Sequence, residues 1–300
     1  KKILHLLAQR EAFGYTMAVC AFADSPPAEQ YLCPYTAATL GEFFMRHGRD
    51  VLVVFDDLTR HAWVYRQMSL LMERAPGREA YPGDIFYLHS QLMERAGRLK
   101  AECGGGTMSF LPIAETLQGD ITGYIPSNLI SMTDGQIYLN AALFHEGFKP
   151  AIDLGLSVSR IGSQVQSPDI LQLSAGLRLA FVQYRELLRM TKLRTRLSEE
   201  AMGQLRRGET LKELLTQENA HPVSLGEMIA VSYAFSRKML EVLPPEDLRR
   251  FKGEFFPRLC QRNRALAQRL ESEQTLTPEL TEGLDRELID YFRQMNPYTG

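Results

Sequence analysis

What the sequence lacks narrows its chemistry first. It has no G-x-x-x-x-G-K-[ST] phosphate loop, no G-x-S-x-G nucleophile elbow and no H-E-x-x-H pair. Its four cysteines (Cys20, Cys33, Cys103, Cys260) are far apart and form no C-x-x-C. That usage suits reduced thiols in the cytoplasm rather than a disulfide framework, and with only six scattered histidines it argues against a structural zinc. The longest apolar runs, such as TMAVCAFA at 16–23, are strand-length, well short of the roughly 18 residues that cross a bilayer. The opening KKILHLLAQR has two lysines but no long apolar core or cleavage site, so it is not read as a signal peptide. It starts without methionine and mid-helix, and reads as a fragment of a longer protein. A charge surplus is missing too: residues 1–166 carry 14 basic and 17 acidic side chains, residues 167–300 carry 20 and 19. Such a balance argues against an electrostatic nucleic-acid binder.

What is present fits a globular protein of about two domains, with 45% apolar and 23% charged residues over 300 positions. Residues 1–166 alternate between two periods. ILHLLAQ reads as a helix and GYTMAVCAFA as a strand. TAATLGEFFMRHG follows as a helix, then VLVVFDD as a buried strand. DIFYLHSQLMERAGRLK reads as one long amphipathic helix leading through GGG into the strand TMSFLPIAE, with LISMTDGQIYL and PAIDLGLSVS completing the set. This pattern predicts an α/β layer structure with a largely parallel sheet. From Ser167-Pro168, an N-cap followed by proline at the first helical position, helix signals dominate to the end. ILQLSAGLRLAFVQYRELLRM is one amphipathic segment, and Ser224 to Glu227 has capping-box spacing. The predicted domains are therefore 1–166 and 167–300.

The stretch VLVVFDD ends in Asp56 and Asp57, where a buried strand exits. Acids there serve either as caps for the following turn or as the aspartate that holds nucleotide-bound magnesium. Arg160, at another apparent strand end, is either a salt-bridge partner or a guanidinium offered to a neighbouring site, where its fork of donors matches phosphate oxygens. CGGGT at 103–107 has no lysine and precedes a strand, so it reads as a flexible connection rather than a phosphate loop. Arg189, Lys192, Arg194 and Arg196 read as a solvated helix face.

Longer strings are more specific. YRQMSLLMERAPGREAYPGDIFYLHSQLMERAG (65–97), YIPSNLISMTDGQIYL (124–139), LFHEGFKPAIDLGLSVSRIGSQVQ (143–166), QYRELLRM (183–190) and RGETLKELLTQ (207–217) closely resemble the non-catalytic alpha subunit of rotary ATP synthases. The resemblance implies a P-loop NTPase (RecA-like) α/β domain lacking its first part, phosphate loop included, followed by an all-helical C-terminal domain. It implies a subunit that binds Mg-ATP or Mg-ADP without turnover. Its partners would be beta subunits in an alternating alpha/beta hexamer, a central gamma-type rotor and a peripheral stalk. Its place would be the cytoplasmic face of the bacterial inner membrane, peripheral and without a transmembrane segment.

Carried over by position, Asp56 matches the magnesium-associated aspartate. Arg160 matches the arginine reaching into the beta subunit's catalytic site, and Ser131 lies in the matching interface loop. Phe144 and Lys149 match residues near the alpha subunit's own adenine pocket, and Gln217 and Asn219 the amides flanking that adenine, which offers both a donor and acceptors. The sequence departs from the family where Lys149 replaces an arginine and Asn219 a glutamine. It departs again in LRMTKLRTRLS, where Arg194 and Arg196 replace an acidic rotor-facing turn. The competing reading is an assembly module of the ring that no longer binds nucleotide.

Overall fold

A computed structural model describes residues 2–191, 198–273 and 275–295. The protein forms two compact units, Lys1–Thr133 and Asp134–Gly300. Their junction lies upstream of the compositional change near residue 166, so the segment 134–166 folds with the helices that follow it.

The first unit runs α1 (Lys2–Gln9), α2 (Pro27–Arg46), β1 (Asp50–Phe55), α3 (Leu58–Leu71), α4 (Ile85–Met93), β2 (Gly97–Arg98), β3 (Thr107–Pro112) and α5 (Tyr124–Met132). Strand order is β1-β3-β2, with β1 and β3 parallel in register from Asp50↔Thr107 to Phe55↔Pro112, and β2 antiparallel to β3. Alternation along β1 sends Val53 and Phe55 into the core with Met108, Leu58, Ile85 and Leu92. The opposite face keeps Leu52, Val54, Leu111 and Ile113 exposed.

Several expectations are corrected here. GYTMAVCAFA, although apolar enough for a strand, joins no ladder; without a neighbouring strand its composition alone does not make one. The helix expected over 84–100 stops at Met93. Beyond it Gly97 and Arg98 pair with β3, and ladder bonds displace the helical period. The sheet is largely parallel as expected, with six parallel residue pairs between β1 and β3 and two antiparallel ones added by the short β2 at its edge. The connection CGGGT is a short turn, and close packing requires two of its glycines: a Cβ on Gly104 would sit 2.3 Å from the Arg46 carbonyl oxygen, and one on Gly106 2.2 Å from that of Met45.

The second unit opens with β4 (Gly135–Gln136), α6 (Ala141–His145), β5 (Val158–Ser159) and α7 (Gly162–Val165). It continues through α8 (Pro168–Thr191), α9 (Glu199–Leu215), α10 (Leu225–Ser236), α11 (Pro245–Arg262), α12 (Arg264–Ser272) and α13 (Pro278–Met295). β4 and β5 pair antiparallel, so PAIDLGLSVS contributes only a two-residue strand at its end. The core is aliphatic and aromatic: Leu143, Phe148, Phe181, Leu211, Phe235, Phe251, Leu259, Leu280 and Leu284. The anticipated caps are made. Ser167 Oγ accepts from the Ile170 amide at 3.3 Å and Ser224 Oγ from the Glu227 amide at 3.2 Å. Arg194 and Arg196, with Lys192, lie outside the described residues. No described helix is long and apolar enough to cross a membrane.

Candidate functional site

The expected residues fall at four places, two in the first unit and two in the second. Asp56 stands exposed just past β1, at the carboxyl ends of the parallel pair, where open α/β sheets bind ligands. The Asp56–Asp57 peptide is cis. Only one of the two acids serves as a cap. Asp57 caps α3, its Oδ1 accepting from the Arg60 amide at 2.7 Å, while Asp56 is left at the exposed edge. The acid ending the neighbouring strand, Glu115, also belongs to this edge: its amide donates to Thr59 Oγ1 at 2.9 Å, and its carboxylate lies 3.5 Å from Arg60. TMSFLPIAE carries the same strand-then-acid signal as VLVVFDD, so Glu115 could have been singled out from the sequence. No group of three or more His, Cys, Asp or Glu among the described residues forms a metal cage. A lone carboxylate fits the way magnesium enters nucleotide sites, through one or two carboxylates plus phosphates and water.

Ser131, expected in a loop, lies instead in the last turn of α5. Its hydroxyl donates back to the Asn128 carbonyl at 2.6 Å, an intrahelical bond open to serine.

In the second unit, Phe144, Lys149 and Gln217 come together from distant parts of the sequence. Asn140 caps α6, accepting from the Ala142 amide at 2.9 Å, and its Nδ2 donates to Asp153 at 3.2 Å. Gly147, at φ +81°, turns the backbone out of the helix. Leu143 and Phe148 are buried to either side, which leaves the Phe144 ring 53% exposed. The ammonium of Lys149 stands over that ring, 4.9 Å from its centre. The Lys149 carbonyl accepts from the Gln217 amide at 2.6 Å, joining this turn to the segment after α9. Glu146 fastens the turn further: its carboxylate pairs with Arg185 at 2.6 Å and its carbonyl accepts from Lys212 at 3.2 Å. Asn219 follows in the same exposed segment. The arrangement offers an aromatic face, a cation and amide-bearing side chains to solvent, a combination suited to a planar base with an anionic tail.

Arg160 is exposed beyond β5, with its amide donating to the Asp134 carbonyl at 2.7 Å. The hairpin beneath it is tight because Gly135 has no side chain; a Cβ there would lie 2.2 Å from the Val158 carbonyl oxygen. Exposed Ile137, Val158 and Ile161 surround the arginine in sequence and strand pairing.

A parallel strand pair with an acid at its exit, followed by a helical unit that exposes an aromatic ring beside a cation, is the pattern of an α/β ligand-binding domain with a helical companion. Comparison sharpens this. Residues 1–159 match the nucleotide-binding domain of the ATP synthase alpha/beta family, and residues 166–291 match the C-terminal domain of the ATP synthase alpha/beta chain. The protein belongs to the ATP synthase alpha/beta family. It is 42% identical over 293 residues to ATP synthase subunit alpha of Clostridium kluyveri (strain NBRC 12016) and equally to that of Aquifex aeolicus (strain VF5). Each alignment covers 98% of this sequence and 58% of the relative, so the protein spans little more than half the length of these relatives.

Proposed function

We propose that the protein serves as the non-catalytic, nucleotide-binding alpha subunit of a rotary, ion-translocating ATP synthase. In this reading it binds Mg-ATP or Mg-ADP without turnover and supplies Arg160 to a catalytic site on an adjacent beta subunit. The observation that carries the reading is the convergence of Phe144, Lys149 and Gln217 on one surface of the second unit. Phe144 would receive the base, with Gln217 and Asn219 offering amide groups to its edge and Lys149 favouring the anionic tail. Asp56 would face the Mg2+, which when bound neutralises phosphate oxygens. Ser131 would belong to the interface with the neighbour. Arg160 is exposed at the end of a tight hairpin, outside the core, as a side chain working on another subunit must be. Its permanently charged fork suits charge spreading over a transferred phosphoryl group.

The partners implied are beta subunits in an alternating hexamer, a gamma-type rotor and a peripheral stalk, with the whole held peripherally at the cytoplasmic face of a bacterial inner membrane.

The test has two arms. Calorimetric titration with Mg-ADP should give saturable binding that is weakened about tenfold in Gln217→Ala, roughly the loss of one or two neutral hydrogen bonds. In a reconstituted ring with beta subunits, Arg160→Ala should lower turnover by about a thousandfold or more while leaving nucleotide binding to the alpha subunit intact. No binding, together with full turnover in the variant ring, would reduce the protein to an assembly module.

A further inference from the structure

The segment that presents Gln217 and Asn219 has no regular structure of its own, so its position must be imposed from outside. The second unit supplies that through α11. Lys252 Nζ donates to the Glu213 carbonyl at 3.2 Å and also to the Thr216 carbonyl, the residue that ends α9. Carbonyls in the last turn of a helix have no intrahelical donor, and the helix dipole concentrates negative potential there. One turn earlier on the same face of α11, Arg249 Nε donates to Glu213 Oε1 at 2.8 Å. Two cations spaced i, i+3 therefore grip the end of α9, one through a side chain and one through the backbone.

Lys252 is half-buried; burial pushes its pKa below the ordinary lysine value, and the carboxylates of Glu213, Glu227 and Glu218 around it partly offset that by favouring the charged form. Immediately after Thr216, the Gln217 amide donates to the Lys149 carbonyl at 2.6 Å. The path from α11 to the Phe144–Lys149 surface is thus two hydrogen-bonded steps long.

We propose that Lys252 is the positioning residue of the Gln217–Asn219 segment, fixing through its ammonium the place at which these amides meet a nucleobase. The nucleobase part rests on the functional reading above; the clamp itself does not.

Amide hydrogen exchange on the whole protein tests the clamp without any ligand. Lys252→Met keeps the apolar stem and removes the donor. It should speed exchange of the Gln217 amide about tenfold while Ile229 and Ala230 on α10 keep their wild-type rates. Lys252→Arg, still cationic and long enough to reach a carbonyl, should restore most of the protection. An unchanged Gln217 rate, or equal acceleration throughout the helical unit, would overturn the clamp. Calorimetry with ADP then addresses the base. The methionine variant should bind about tenfold more weakly and the arginine variant close to wild type, whereas equal affinity for all three would remove the nucleobase role. If the wild type itself fails to bind ADP, the functional reading falls, while the exchange rates still decide whether Lys252 holds the segment.

Discussion

The two units bury their polar groups differently. The second is a helical core of leucine, phenylalanine and alanine, closed by conventional serine and proline helix starts. The first encloses a polar knot. His61 and His89 are buried, with Nδ1 of one 3.4 Å from Nε2 of the other, and His61 Nε2 lies 3.1 Å from the Tyr31 carbonyl. The rings of Tyr31 and Tyr35 pack on His61, and Tyr65 stacks on Tyr31. Among the described residues, four of the five buried polar side-chain atoms without a hydrogen-bond partner belong to this unit: those of Ser69, Asp84, His89 and Asn128. Its sheet also shows an apolar face to solvent at Leu52, 61% exposed, and Val54, 54% exposed. Apolar burial dominates the helical unit, whereas the α/β unit tolerates buried groups that could carry charge. The two should therefore fail under different stresses.

The largest effect should come from emptying the helical core. Phe251 is fully buried against Phe255, Tyr291 and Phe292. Phe251→Ala should cost about 3–5 kcal/mol, read by denaturant unfolding, with exchange protection lost first in α11 and α13. Equal loss in β1 and α3 would mean that the units do not fail separately.

Acid should act the other way. Burial pushes His61 down to about 4 and His89 down to about 3, with His61 adding to the effect on His89. In the unfolded state both take up protons near the ordinary 6.5. The unfolded state is therefore the one stabilised by acid. The contribution is complete above about pH 6.5 and is lost as pH falls toward the folded values, by about 2 kcal/mol per histidine between about pH 7 and about pH 5. Protection in α3 and β1 should fall over that window while α10 holds, and His89→Leu should roughly halve the slope. A flat profile would remove the histidine pair as the cause.

The smallest effect should come from a cap. Ser224→Ala removes the acceptor for the Glu227 amide and a contact with Glu271, which should cost about 1 kcal/mol and fray only the start of α10. A much larger loss would show that this cap carries packing as well.

Local signals are legible where one short stretch contains the whole cause. VLVVFDD is a strand because its residues are β-branched and apolar, and Ser167-Pro168 and Ser224 begin helices because their own atoms satisfy free amides. The strand expected at 14–23 and the long helix at 84–100 differ from the structure for the converse reason. Strand formation needs a partner and helix length yields to a competing ladder, and neither can be seen within the segment. The candidate site divides in the same way. The phosphate-loop absence, the acids that end VLVVFDD and the positions of Phe144, Lys149, Arg160, Gln217 and Asn219 are all readable along the sequence. That Asp57 rather than Asp56 is the cap depends on which carboxylate the turn aims at the Arg60 amide.

By itself the sequence determined the two kinds of architecture and the family, because composition, periodicity and specific strings are properties of the linear order of residues. Tertiary structure alone decided that the Gln217 amide closes on the Lys149 carbonyl, that Lys252 ties off α9, and that two histidines share one buried space. Each of those contacts joins residues at least 28 positions apart, and only folding sets the distances on which hydrogen bonds and desolvation depend.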